Sequence, residues 1–420
     1  MSFNTLGLHS LLLDALTETG YDTPTDIQAE AIPHILNGVD VMAGAQTGTG
    51  KTAAFTLPIL HKLLLSEDDG SSNESSIKRV KALILTPTRE LAQQVHKSVN
   101  TYANKTTLKT ALVYGGVSIK NQIDDLQQGV DIVIATPGRL LDHLYNQNIS
   151  LEHVEYVVFD EADRMLDMGF KDEISRITKK LPSVRQTLLF SATFDESIFK
   201  LSKRLLNDAV LVEVNQRNAA ATTVEQVVYN IDADRKRELI SHLIGSKNWH
   251  QVLIFTRTKQ DADALAKEMK LDGIKAESIH GDKSQGARER VLEQFKTGTI
   301  RALVATDVAA RGLDIQNLNY VINYQLPYIA EDYIHRIGRT GRAGNKGLAI
   351  SLLSVGEEYL LEEVEAVLDT RLLQQWLPGY EPDLTKKPTN NRKNTKSAQK
   401  QRAGRRAAGK RTGNRSQAKR

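Results

Sequence analysis

The chain has 420 residues, 40% of them hydrophobic and 25% charged, and no cysteine. Its length exceeds one ordinary core and implies two folded domains. The composition excludes a wholly disordered chain, the missing cysteines exclude disulfides and thiolate metal sites, and with no run of about 18 apolar residues nothing spans a membrane. The net charge of +4 conceals an asymmetry: residues 385–420 hold 14 Lys or Arg and no Asp or Glu, leaving 41 basic against 51 acidic residues in 1–384.

In chain order, no Lys or Arg precedes Leu11, Leu12 and Leu13, and Asp14 follows them directly. That argues against a signal peptide and for a cytoplasmic protein. Val41 and Met42 then lead into AQTGTGKT (45–52), with a helical pattern starting at Ala53. This is the strand, loop, helix context of a phosphate-binding loop. Ala45, Gln46, Thr47, Gly48, Thr49 and Gly50 would wrap the phosphates of ATP, with Gly48 and Gly50 letting backbone amides approach. Lys51 would supply positive charge to the outer phosphates and Thr52 a hydroxyl to Mg²⁺. Ala45 stands where such loops usually carry their first glycine. Taken alone, the loop also fits a glycine-rich turn that caps a helix.

SEDDGSSNESS (66–76) has the composition of a surface loop. KALILT (81–86), DIVIAT (131–136), YVVFD (156–160) and QTLLFS (186–191) predict strands buried on both faces, as in a parallel sheet. In VVFDEAD (157–163), Asp160 ends such a strand and would project into the crevice where ligands bind, there to hold Mg²⁺ through water. Glu161 follows, placed to orient and deprotonate the water that attacks the γ-phosphate. Without the phosphate loop this pair reads more readily as solvated loop charge.

EVNQRNAAATT (213–223) is polar and aperiodic, a linker between a lobe at 1–212 and a second at 224–384. The second lobe repeats the strand pattern in QVLIFT (251–256), RALVAT (301–306), YVINY (320–324) and GLAISLL (347–353). The fold class is therefore α/β, two tandem lobes each with its own parallel sheet flanked by helices. HRIGRTGRAG (335–344) spaces Arg336, Arg339 and Arg342 three apart. These are candidates for an arginine finger that reaches ATP on the first lobe when the lobes close. The residues alone do not choose among them, nor exclude a solvated basic surface. The tail, 385–420, has almost no large apolar side chains and should be disordered when free.

These motifs, with GYDTPTDIQ (20–28), PTRELAQQ (87–94), TPGR (136–139), SAT (191–193), LIFTRT (253–258) and ATDVAARGLDI (305–315), stand in the order of one family. Over residues 3 to about 375 the chain resembles the DEAD-box RNA helicases of superfamily two, with RecA-like lobes. Its short N-terminal segment and basic tail are most similar to the bacterial RhlE-like subgroup, which hints at ribosome assembly or RNA-turnover complexes. The resemblance implies that Gln28 reads the adenine edge, supported by Phe3 and Tyr21, and that Asp314 contacts the ribose. It implies that Arg339 and Arg342 face the γ-phosphate. Asp163, Ser191, Thr193 and His335 would couple hydrolysis to lobe movement.

For RNA the resemblance points to Pro87, Thr88, Arg89, Gly115, Gly116, Thr136, Pro137, Gly138 and Arg139 on the first lobe. On the second it points to Thr256, Arg257, Gly281, Arg288, Thr306 and Asp307. Glycine amides, hydroxyls and arginines suit a groove that tracks the phosphate backbone and 2′-hydroxyls with little sequence preference. The tail would add sequence-independent affinity through counterion release. The implied activity is RNA-dependent ATP hydrolysis that separates short duplexes locally by closure of the lobes, in a monomer. An ATP-gated RNA clamp shares every motif. A DNA translocase is disfavoured by GYDTPTDIQ and DEAD together.

Overall fold

A computed structural model describes residues 2–44, 49–68, 79–214, 224–310, 313, 315, 318–341, 347–383, 385 and 386. The acidic loop from residue 69, the linker from 215 to 223 and the basic tail from 387 lie outside the described residues, as do the readings made of them. The chain divides into two compact units, Met1–Arg217 and the larger part of the remainder. Among the described residues no helix is long and apolar enough to cross a membrane.

The first unit holds β1 (Val41–Gly44), β2 (Ala82–Leu85), β3 (Thr110–Val113), β4 (Ile132–Ala135), β5 (Tyr156–Phe159), β6 (Gln186–Ser191) and β7 (Val210–Glu213) in the sheet order β3-β4-β2-β5-β6-β1-β7. The second holds β8 (Val224–Asn230), β9 (Val252–Thr256), β10 (Ala276–Ile279), β11 (Ala302–Thr306), β12 (Tyr320–Asn323), β13 (Gly347–Leu353) and β14 (Leu373–Gln375) in the order β10-β11-β9-β12-β13-β8-β14. Counted from its own first strand, each sheet has the same order. Every pairing is parallel. The expected α/β architecture of two helix-flanked parallel sheets is the one observed.

Alternation across each strand feeds two helical layers. In the first unit Ala82, Ile84, Ile132, Ile134, Val158, Leu188 and Phe190 pack on one face, while Leu83, Leu85, Val133, Ala135, Val157, Phe159 and Leu189 pack on the other. The inner strands must be apolar on both sides, which is why they read as continuous runs. β7 continues through Glu213, which registers against Gly44, so the segment after the sheet begins at residue 214 instead of 213.

Parallel alignment brings all the carboxyl ends of a sheet to one edge, the edge where such folds bind ligands. In the first unit that edge collects Thr49–Thr52 beyond β1, Thr86–Arg89 after β2, Tyr114–Gly116 after β3, Thr136–Arg139 after β4, Asp160–Asp163 after β5 and Ser191–Thr193 after β6.

Candidate active site

Lys51 opens the helix Lys51–Asp68. Its side chain is buried, and its Nζ has no hydrogen-bond partner among the described residues. Thr52 follows it on the same first turn. Asp160, at the end of β5, is 2% exposed, and its Oδ1 likewise lacks a partner. An unsatisfied buried polar group costs about 1–3 kcal/mol, more when charged. Burial pushes the Asp160 carboxyl up to about 7; Glu161 and Asp163 add to the effect while Lys51 opposes it. A buried carboxylate oxygen without a partner, short of positive charge, fits a divalent cation bound through few protein ligands.

Glu161 takes the left-handed conformation, φ 53° and ψ 53°, as N-cap of the helix Ala162–Asp167. For a residue with a Cβ that costs roughly 1–2 kcal/mol, and strain of this kind collects at functional turns. The turn aims consecutive carboxylates in different directions. Glu161 Oε2 sits 3.3 Å from Arg164 Nε, with both side chains buried. Asp163 points to the next loop: its Oδ2 accepts from Ala192 N at 3.1 Å, Thr193 N at 3.2 Å and Thr193 Oγ1 at 3.3 Å. Ser191 Oγ donates to Thr193 O at 2.7 Å. Asp163, Ser191 and Thr193 thus form one connected unit.

Gln28 is buried in the helix Asp26–Leu36, where its Oε1 accepts from Thr25 N at 2.9 Å and its Nε2 donates to Gly50 O at 3.0 Å. Thr25 Oγ1 donates to Thr49 O at 2.8 Å. Gly50 has φ +90°, and a Cβ there would lie 2.3 Å from Gln28 Nε2. The structure therefore ties Gln28 to the phosphate loop; reading an adenine would require it to exchange these bonds. Phe3 is buried in the first core, whereas Tyr21 is half exposed and meets Tyr102 edge-on, with ring centroids 6.4 Å apart. Ala45, Gln46, Thr47, Gly48, Asp314 and Arg342 lie outside the described residues.

On the same edge of the first unit, Pro87 is buried and Thr88 caps the helix Arg89–Tyr102 by accepting from Leu91 N at 3.2 Å. Gly116 has φ +87°, and a Cβ on it would fall 2.0 Å from Arg89 Nη1. The glycine lets the Arg89 guanidinium lie over the loop. Gly115 is half-buried beside it, and Gly138 is exposed. Thr136 is the N-cap and Pro137 the first residue of the helix Pro137–Tyr145, an arrangement that leaves amides at the helix start. Arg139 Nη2 donates to Val117 O at 3.1 Å.

In the second unit the structure separates the three arginines. Arg336 is 1% exposed; its Nε and Nη2 grip Asp307 at 2.6 and 2.8 Å, and its Nη1 donates to Asn323 Oδ1 at 3.1 Å and Gln325 O at 2.6 Å. A guanidinium so engaged pins two strand ends, those of β11 and β12, and is no free finger. Arg339, one turn on, is buried; with His335, Arg336, Phe255, Asp307, Ala310 and Asp332 it lines a small, partly open cleft. Arg257 is also drawn inward, its Nε to Leu326 O and its Nη2 to Glu357 Oε1, both at 2.6 Å, and it covers the Tyr328 ring. Thr256 and Thr306 are buried at the ends of β9 and β11, Gly281 is exposed after β10, and Arg288 is half-buried on the helix Gln285–Lys296.

The sequence model of the DEAD/DEAH box helicases matches residues 25–201, and that of the helicase conserved C-terminal domain matches residues 235–344. The DEAD-box ATP-dependent RNA helicase RhpA of Helicobacter pylori is 43% identical over 88% of this chain and 73% of its own. The chain belongs to the DEAD-box ATP-dependent RNA helicases. The RNA helicase CrhR of Synechocystis is 43% identical over 89% of this helicase and 73% of its own chain. Among solved structures, S. cerevisiae Dbp5 bound to RNA and ADP BeF3 aligns with TM-score 0.78 at 31% identity, covering 89% of this helicase and 95% of that chain. Mss116p bound to ssRNA and AMP-PNP aligns with TM-score 0.79 at 29% identity, over 90% and 80%. The two units are RecA-like lobes. As a member of this family the helicase uses ATP and acts on RNA.

Sequence reasoning passes over Thr25, Gln122, His143 and Arg164. Thr25 and Gln28 form a capping box, a spacing legible in TDIQ. Gln122 and His143 are polar residues at core-facing positions of amphipathic helices, a visible signal without a visible partner. Arg164 is fully buried directly after Asp163 and pairs with Glu161, a residue whose place in the motif points to another role.

Proposed function

We propose that this helicase is an RNA-dependent ATPase that separates short RNA duplexes locally, through closure of its two lobes around ATP and RNA. The observation that carries the reading is the turn after β5. Within four residues it sets Asp160 within electrostatic reach of Lys51, follows it with Glu161 and fastens Asp163 to Ala192 and Thr193; in this reading that connection passes a change at the phosphates to the adjoining loop.

In this reading Lys51 binds the outer phosphates, Asp160 and Thr52 hold Mg²⁺, and Glu161 orients and deprotonates the attacking water. Mg²⁺ would neutralise charge on the phosphate oxygens. Arg339, with Arg342, meets the charge that develops on the γ-phosphate, and His335 relays its presence to the Asp163, Ser191 and Thr193 unit. Gln28, Phe3 and Tyr21 serve the base and Asp314 the ribose.

RNA lies along Thr88, Arg89, Gly115, Gly116, Thr136, Gly138 and Arg139 on the first lobe. On the second, Gly281, Arg288, Thr256 and Thr306 continue the track, with Arg257 and Asp307 holding its walls. The basic tail tethers RNA, the protein works as a cytoplasmic monomer, and ribosomal or RNA-turnover complexes are its setting.

Strand-separation assays test the reading. Short duplexes should separate with ATP and far less with a non-hydrolysable analogue, and long duplexes should resist both. Tight ATP-dependent RNA binding without strand separation of any duplex would favour a clamp.

A further inference from the structure

Two segments of the first unit that face the proposed RNA track are joined by one buried amide. Gln122, on the helix Ile119–Gln127, is 5% exposed. Its Nε2 donates to Tyr114 O at 2.9 Å; its Oε1 accepts from Arg139 Nη1 at 3.3 Å and from His143 Nε2 at 3.1 Å. An amide oxygen only accepts, so His143 Nε2 carries the ring proton, and Nδ1 is left to accept from Asn148 Nδ2 at 3.3 Å. Burial, and after it the Arg139 charge, pulls the His143 pKa down, keeping the ring neutral in this role.

Arg139 is held on two further sides, by Val117 O at 3.1 Å and by Asp142 at 3.6 Å. Its terminal nitrogens each carry two N–H groups, so each keeps a donor for a ligand. Arg89 meanwhile lies over Gly116, in the loop whose Tyr114 carbonyl Gln122 grips.

We propose that Gln122, backed by His143, is a positioning residue for RNA: it locks the Arg139 fork to the glycine loop beneath Arg89, so that both arginines stand ready for the phosphate backbone before RNA arrives. A core amide serving only to satisfy the Tyr114 carbonyl would have no need of the partly exposed Arg139. Preorganised donors spare a ligand the cost of ordering them. The inference rests on the RNA-facing role proposed above for Arg139.

The test compares Gln122→Leu, Arg139→Ala and the double variant in the full chain. Single-stranded RNA binding, with a non-hydrolysable ATP analogue, is measured across salt concentrations, alongside the KM for ATP and thermal melting. Gln122→Leu should weaken RNA binding about 10-fold, equivalent to about 1.4 kcal/mol, and flatten the salt slope by up to about 0.7, the share of one phosphate on a single strand. The KM for ATP should stay within about 2-fold, and the double variant should bind RNA no more weakly than Arg139→Ala alone, as residues acting as one unit do.

Effects that multiply in the double variant would overturn the inference. So would an unchanged salt slope in Gln122→Leu. If Gln122→Leu melts too early to assay, Gln122→Glu replaces it. Its carboxylate repels the Tyr114 carbonyl and sequesters the Arg139 charge, so unchanged RNA binding in that variant would overturn the inference as well. Unchanged RNA binding in Arg139→Ala would instead overturn the RNA role of Arg139 itself.

Discussion

The two lobes share one strand order and one local device, yet they treat charge in opposite ways. After β2, Thr86 Oγ1 donates to Thr88 O at 3.3 Å and Thr88 caps the next helix; after β9, Thr256 Oγ1 donates to Thr258 O at 3.3 Å and Thr258 caps its helix, accepting from Asp261 N at 3.0 Å. The framework is thus duplicated down to a pair of threonines. What differs is what the strand ends carry. In the first lobe Lys51 Nζ and Asp160 Oδ1 are buried without partners among the described residues. In the second, the end of β11 gives Asp307 to Arg336, and the end of β12 gives Gln325, whose Oε1 accepts from Arg257 N at 2.7 Å.

The position that follows β1 shows the contrast most plainly. There the first lobe places its phosphate loop. After β8, the equivalent strand, the second lobe has Asp232, whose carboxylate takes Lys386 Nζ at 2.8 Å and Asp383 N at 3.2 Å. At these strand ends the first lobe leaves Lys51 Nζ and Asp160 Oδ1 without partners among the described residues, while the second pairs Asp232 and Arg336 within the chain.

The largest effect that would break this comparison is catalytic. Glu161→Gln should reduce RNA-stimulated turnover by roughly 10²–10⁴, the range of a general base, while ATP and RNA binding persist; ATPase and binding assays check both, and normal turnover would remove Glu161 from its role. Next comes stability. Arg336→Ala removes a fully buried guanidinium and its bonds to Asp307, Asn323 and Gln325 and should cost about 1–3 kcal/mol, seen as a lower melting temperature for the second lobe. An unaltered melt would mean that the pair does not brace the strand ends.

Gly116→Ala follows. Its Cβ would collide with Arg89 and sit at a positive φ, so RNA affinity should fall about 10-fold, corresponding to about 1.4 kcal/mol, in a titration with single-stranded RNA. The smallest effect sharpens the role of the tail. Deleting residues 385–420 should weaken RNA binding and flatten its salt slope, by about 0.7 for each phosphate the tail had neutralised, with maximal ATP turnover largely kept. Equal slopes before and after deletion would separate the tail from RNA.

The inner strands are legible because burial on both faces makes them apolar throughout, as in IVIA (132–135) and ALVAT (302–306). Of the strands without such a run, β3, β10 and β14 are sheet edges, whereas β8, VEQVVYN, lies inside its sheet and still carries polar residues. Burial alternates along β3 and fades in β14. The same logic governs the site. Lys51, Asp160 and Glu161 announce themselves through spacing and strand context. Arg336 and Arg339 look alike in sequence, and what separates them is Asp307, 29 residues from Arg336. Gln122 is silent for the same reason, since its partners Tyr114, Arg139 and His143 come together only in the fold.

In the proposed function the unsatisfied charge of the first lobe hydrolyses ATP only when the second lobe supplies Arg339. The direct measurement is the ratio of ATP turnover with saturating RNA to turnover without RNA, in the native chain and in Arg339→Ala. The native chain should show strong stimulation. Arg339→Ala should lose roughly 10³ or more of the stimulated rate and respond little to RNA, while still binding ATP and RNA. Stimulation of Arg339→Ala equal to that of the native chain would remove Arg339 from the site.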